Sequence, residues 1–177
     1  MKVLRSVTKA VKRKQVAIIV DGPNMLRKDL NVNLETIRKI GMDLGRPVMS
    51  VVILDRKASE KLVEAVNNAG FRAIISTGKV EVDFTIAAME AIATDKINTI
   101  VLVTRSAAYL PIVHKAKESG KETVVIGTEP GFSVALRKSA DISISLAEGS
   151  PSLKFESDEE ESYSSEGEEN LYEEEGF

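Results

Sequence analysis

The feature that most restricts the fold is an alternation. Six short apolar runs are separated by segments whose apolar residues recur every three or four positions. The runs are VAIIV (16–20), VMSVVIL (48–54), FRAIIS (71–76), TIVLVT (99–104), ETVVIG (122–127) and DISISL (141–146). Each is strand-sized and rich in Val and Ile, whose branched side chains suit a pleated surface. Between them, LETIRKIGMDLG (34–45), ASEKLVEAVNNAG (58–70), DFTIAAMEAIA (83–93), AYLPIVHKAKESG (108–120) and FSVALRKSA (132–140) carry the helical period. Gly45, Gly70 and Gly120 stand where three of these helices would end on a left-handed residue. Strict alternation with short connections predicts a parallel sheet of five or six strands, covered by helices on both faces, because right-handed crossovers leave few other topologies. VAIIV and TIVLV show no polar alternation, as expected of strands buried on both sides. The expected architecture is a three-layer, Rossmann-like α/β domain.

In such sheets ligands sit beyond the carboxyl ends of the strands, where the strand order reverses. Those ends carry Asp21, Gly22, Pro23 and Asn24 after the first run, Asp55 and Arg56 after the second, and Thr77, Gly78 and Lys79 after the third. Thr104, Arg105 and Ser106 follow the fourth, and Gly127, Thr128 and Glu129 the fifth. Of these, Asp21, set directly against the wholly apolar run 16–20, stands out. Two explanations stand: it caps the following turn, which Gly, Pro and Asn also favour, or it binds a hard cation. Glu81 and Asp83 begin the third helical segment; they either complement its dipole or add carboxylates to a magnesium or manganese site. Arg56 and Arg105 offer planar forks for phosphate, and Lys79 is comparable. GTEPGFS (127–133) reads as a phosphate cradle or as a tight turn with a cap. His114, at helical spacing, reads as a surface or half-buried helix residue.

Charge divides the chain. Residues 151–177 hold eleven acids against Lys154 alone, a balance of −10, which leaves 23 basic and 16 acidic residues, +7, for residues 1–150. Residues 1–15 form a basic arm with six cations, Lys12, Arg13 and Lys14 among them, and no acid. Such an arm suits a polyanion or makes a solvated helix. The acidic segment, residues 150–177, is expected to be a disordered tail, either a nucleic-acid mimic or a solubility device. The domain proper is then 16–149. With no Cys and one His, any metal would be held by oxygen. No run is long enough to span a bilayer and the arm lacks an apolar secretory stretch, so a cytoplasmic location with no membrane partner is expected.

The stretch VAIIVDGPNML (16–26) resembles the opening of the NYN domains, a branch of the PIN-like nucleases, whose first strand ends in Asp-x-x-Asn. VEVDFTIAAMEAI (80–92) is similar to the family's Val-Asp-Val segment, and IVLVTRSAAYLPIVHKAKESGKETVVIG (100–127) to its strand, aromatic residue, helix and Gly-Lys pattern. The likeness covers about residues 16–147 and is nearest to the LabA-like group. It implies a PIN-like fold with the first strand beside the fourth, bringing Asp21 near Thr104 to Ala108. It also implies cleavage of RNA by water activated on Mg²⁺ or Mn²⁺. Carried over, Asp21 would be a catalytic carboxylate that binds the metal directly or through water, Asp83 would add a second carboxylate, and Asn24 would support the metal or contact substrate; Glu81, from its own place at the start of the helix, reads as a further ligand. Such a site needs neither His nor Cys, since a divalent ion lowers the pKa of bound water and neutralises phosphate charge.

The sequence departs from the pattern where the family usually has Asp-x-Asp before the aromatic residue. Here Ser106, Ala107 and Ala108 precede Tyr109, and Met89, beside Glu90, stands where a further acid is common. Loss of carboxylates weakens an oxygen site for divalent ions. Thr104 and Ser106 can hold a water or a phosphate oxygen but bring no charge. Two functional classes follow: a metal-dependent ribonuclease with an incomplete acidic site, or an RNA-binding module of the same fold without catalysis. A purely structural role for the strand-end residues is a third. Dinucleotide binding has little support, because no Gly-rich loop follows the first run.

Overall fold

The computed structural model describes residues 13–146; most of the basic arm and the whole acidic tail lie outside the described residues. Six parallel strands form one sheet: β1 (Gln15–Asp21), β2 (Arg46–Leu54), β3 (Arg72–Ile75), β4 (Thr99–Val103), β5 (Glu122–Gly127) and β6 (Ile142–Ser145). Their spatial order is β3-β2-β1-β4-β5-β6, so the order reverses between β1 and β4. The helices are α1 (Gly22–Met25), α2 (Leu34–Leu44), α3 (Glu60–Asn68), α4 (Val80–Ala93), α5 (Leu110–Glu118) and α6 (Val134–Ser139). Short 3-10 turns lie at Lys28–Leu30 and Ala107–Tyr109. The expected parallel, doubly covered sheet is the one observed.

Two cores form because strand side chains alternate between faces. Val16, Ile18 and Val20 of β1 pack with Ile37 and Ile40 of α2 and Val66 of α3; Ala17 and Ile19 pack with Phe84 and Ala88 of α4, Val113 of α5 and Leu136 of α6. Residues 16–20 are wholly buried, which explains their unbroken apolar character.

The structure moves some boundaries. β2 begins at Arg46, two residues before the apolar run, and its pairing with β1 shifts register between Val16 and Ala17. Pro47 sits at this irregularity, as expected of a residue with no N–H to give the ladder. α4 starts at Val80, because Lys79 stays extended and the next residue already turns helical. Gly70 and Gly120 have φ of 84° and 73°, the left-handed endings expected. Gly45 differs: its φ of 168° is extended, and glycine is needed there because a Cβ would lie 2.4 Å from the Lys14 carbonyl oxygen.

Candidate functional site

β1 delivers Asp21 to the sheet's switch point, beside β2 on one side and the start of the Thr104–Tyr109 segment on the other. The residue is only 6% exposed. Its Oδ1 accepts the Asn24 backbone N–H at 3.3 Å, so Asp21 caps α1. Its Oδ2 accepts the Tyr109 hydroxyl at 2.9 Å and, at the long distance of 3.5 Å, the Thr104 hydroxyl. Burial pushes the Asp21 pKa above its ordinary value, the three hydrogen bonds oppose that, and the negative charge of Glu81 adds to it. Burial also raises the Tyr109 hydroxyl far above its usual range, helped by the adjacent Asp21 carboxylate, so Tyr109 remains a donor. The ring of Tyr109 is fixed by Phe84, 4.1 Å away between centroids.

The turn after β1 is packed as tightly as its residue types suggest. A Cβ on Gly22 would approach the Ile53 carbonyl oxygen to 2.5 Å and Leu54 to 2.7 Å, so glycine lets α1 begin against β2. Asn24 turns its side chain inward, where Oδ1 accepts the Arg105 backbone N–H at 3.0 Å. The Arg105 guanidinium donates to the carbonyl oxygens of Asn24, at 3.1 Å, and of Pro130. Its buried Nε has no partner among the described residues. Arg105 thus clamps the loops after β1 and β5 across β4, which departs from the expectation of a fork held out for phosphate. Main-chain carbonyls at the switch point are nearer and need a donor.

The other expected site residues fall in three places. Thr104 is buried and Ser106 half-buried at the switch point; Thr104 Oγ1 accepts the Ser106 N–H at 3.2 Å, and Ser106 Oγ accepts the Ala108 N–H at 3.2 Å. Both hydroxyls therefore organise the turn into Ala107–Tyr109. Glu81 and Asp83 lie in the first turn of α4, Glu81 exposed and Asp83 half-buried, and Glu81 is the acid whose charge reaches both Asp21 and Tyr109. Arg56 and Lys79 are exposed at the same end of the sheet, after β2 and before α4. Arg13 and Lys14 lie at the opposite end, ahead of β1, where Lys14 pairs with Glu122 at 3.1 Å. Lys12 lies outside the described residues.

The GTEPGFS loop is a turn with a cap. Glu129 Oε2 accepts the N–H groups of Gly131 and Phe132, at 2.9 and 3.3 Å, taking the place a phosphate would need, and Ser133 caps α6. His114 is exposed on α5. Tyr109 is the site residue that the sequence alone did not single out; its signal was a lone aromatic residue just past an apolar strand, whose hydroxyl must find a partner once buried.

Whether this set suits a divalent ion depends on free lone pairs. A carboxylate has about four acceptor sites, and Asp21 already receives three donors from its own chain. Positions 106 and 108 contribute no charge, and among the described residues no three His, Asp or Glu side chains gather where an ion could be held. The donors present do not make a resident magnesium or manganese site of the usual kind, which combines several oxygens in an octahedron.

Comparisons with known proteins agree with this architecture. A family model described as NYN domain matches residues 15–147. The uncharacterized protein MJ0482 of Methanocaldococcus jannaschii is 48% identical over 143 residues, covering 79% of this chain and 60% of that protein. The chain thus spans less than two thirds of the relative's length. The crystal structure of VPA0982 from Vibrio parahaemolyticus, a protein of unknown function, superposes with a TM-score of 0.69 at 16% identity, over 78% of this chain and 96% of that one. At that identity the likeness speaks to fold alone.

Proposed function

Because the chain belongs to the NYN domain family, within the PIN-like nuclease superfamily, we propose that it binds RNA as a module whose acidic crevice has become structural. The family generally acts on RNA, and its nucleases typically use divalent metal ions. The observation that carries the reading is the state of Asp21: buried, with both oxygens accepting hydrogen bonds from Asn24, Thr104 and Tyr109. A carboxylate engaged in this way holds the turn together and has little left for a cation. Phosphate contacts fall to the exposed Arg56 and Lys79 at the same end of the sheet and to the cations of the arm, Lys12, Arg13 and Lys14. Their affinity would fall steeply with salt, since binding releases counterions from the RNA.

A second reading keeps the enzyme. Glu81 stands close enough for its charge to raise the pKa of Asp21, so an Mg²⁺ or Mn²⁺ brought in with RNA phosphate, and not resident in the free protein, would meet two carboxylates there, with Asp83 on another side of α4. When bound, such an ion supplies an activated water and neutralises phosphate charge. Asp21 would hold it and Asn24 would fix the turn that carries Asp21.

One experiment separates the two. Binding of a single-stranded RNA is measured in EDTA and in millimolar Mg²⁺ or Mn²⁺, with cleavage followed in the same samples. The binding reading expects no cleavage and an affinity that the ion does not raise, weakened at most by competition for phosphate as with any salt. Ion-dependent cleavage by the folded protein that Asp21→Asn abolishes would establish the nuclease instead.

A further inference from the structure

α4 is apolar on two opposite sides. Phe84, Ala87, Ala88, Ala91 and Ile92 face the core, and the helix packs on β1 and β2. Val82, Ile86 and Met89, at i, i+4 and i+7, lie along the reverse side and are 55%, 52% and 37% exposed, with exposed Ala93 extending the line. From Val82 to Ala93 the stripe runs about 16 Å, eleven steps at a rise of about 1.5 Å. An amphipathic helix normally turns polar residues outward, so a stripe of this kind marks a surface that something covers.

The geometry points to its occupant as a segment of the same chain: we infer that residues 1–12 dock along the outer face of α4. Three observations converge. The first is position. Arg13, the first described residue, lines a cavity with Asp95, Lys96 and Asn98, just past the end of α4, and Gln15 exchanges hydrogen bonds with Asn98. The segment therefore enters the fold at one end of the stripe. The second is pattern and length. In MKVLRSVTKAVK, Val3, Leu4, Val7, Ala10 and Val11 recur at helical spacing while Lys2, Arg5, Lys9 and Lys12 fall on the reverse side. Twelve residues at the helical rise span about 18 Å, close to the stripe. The third is charge. α4 carries Glu81, Asp83 and Glu90 with no cation, whereas residues 1–12 carry four cations and no acid, so the two attract at long range although the cations, on the far side of the segment, pair with none of these acids. Docked in this way, the segment buries its apolar side on Val82, Ile86 and Met89 and presents its cations as a basic ridge along the domain. The inference extends the RNA-binding reading by saying where those cations are held, but its test needs no RNA.

The chain has no cysteine, so a disulfide reports proximity cleanly. In the full chain, Val7→Cys with Ile86→Cys should cross-link within one molecule under mild oxidation, whereas Lys9→Cys with Ile86→Cys, on the reverse side of the segment, should not. Trypsin gives a second readout. Cleavage after Arg5 and Lys9 should be slow in the parent chain and accelerate roughly tenfold in Ile86→Glu, because cleavage tracks the open population. Val82→Lys, also at an exposed position, should act alike if Ile86→Glu fails to fold. Equal cross-linking of the two pairs, cross-links formed only between molecules, or cleavage rates that neither substitution changes would overturn the inference. Cross-links between molecules would assign the stripe to a second copy.

Discussion

Replacing Tyr109 by Phe removes one atom from the centre of the site and leaves the ring that stacks on Phe84. That atom donates to Asp21 Oδ2 at 2.9 Å, and without it Oδ2 keeps only the 3.5 Å contact to Thr104. A hydrogen bond to an ionised group contributes about 1.5–3 kcal/mol and one between neutral groups about 0.5–1.5. The loss of stability should therefore depend on the protonation of Asp21. Burial holds its folded pKa above the ordinary 3.8, so the native state binds the proton more tightly than the unfolded chain does. The stability from that proton is fully present below the unfolded pKa and is lost as pH rises through the folded pKa. Because the Tyr109 bond lowers the folded pKa, Tyr109→Phe raises it further and deepens the loss. Urea unfolding from about pH 4 to about pH 8 should show a deficit that grows by about 1–1.5 kcal/mol toward high pH, the difference between a hydrogen bond to an ionised carboxyl and one to a neutral carboxyl, with m unchanged. A deficit independent of pH would mean that Tyr109 does not donate to a titrating Asp21, and the structural account of that carboxylate would fail.

Gly22→Ala should destabilise by about 1–3 kcal/mol in the same assay, since its Cβ would enter the space of the Ile53 carbonyl. Arg105→Ala should cost about 2 kcal/mol by releasing the Asn24 and Pro130 carbonyls, and Arg105→Lys should restore little because it lacks the fork. Ser106→Asp with Ala108→Asp should create ion affinity and Mg²⁺-dependent RNA cleavage, both removed by adding Asp21→Asn; calorimetric titration and a gel assay read the two, and a folded double variant with neither gain would mean that positions 106 and 108 do not serve the crevice. Residues 1–150 should bind RNA more tightly than the full chain at low salt, because the −10 segment is removed; equal affinities would take the tail out of the mechanism.

What the sequence settled by itself was whatever depends on neighbours a few residues apart. The runs at 16–20 and 99–103 announced buried parallel strands because a strand enclosed on both faces has no polar side to show, and the 3.6-residue period between runs announced the covering helices. Asp21 at the end of the first run was visible for the same reason. Its role was not visible, since capping and metal binding leave the same local pattern. The tertiary structure added its partners, the Asn24 N–H that Asp21 caps and, by setting β4 beside β1, the Tyr109 hydroxyl 88 positions away. The acid that answers Asp21 was likewise hidden. Helix rotation determines which of Glu81 and Asp83 reaches it, and the packing of Phe84 on Tyr109 fixes that rotation. Arg105 looked like a phosphate ligand until the loops after β1 and β5 supplied carbonyls that needed its donors. Strand order and helix rotation are properties of the assembled core, set by which apolar surfaces bury one another, and no local stretch of the chain encodes them alone.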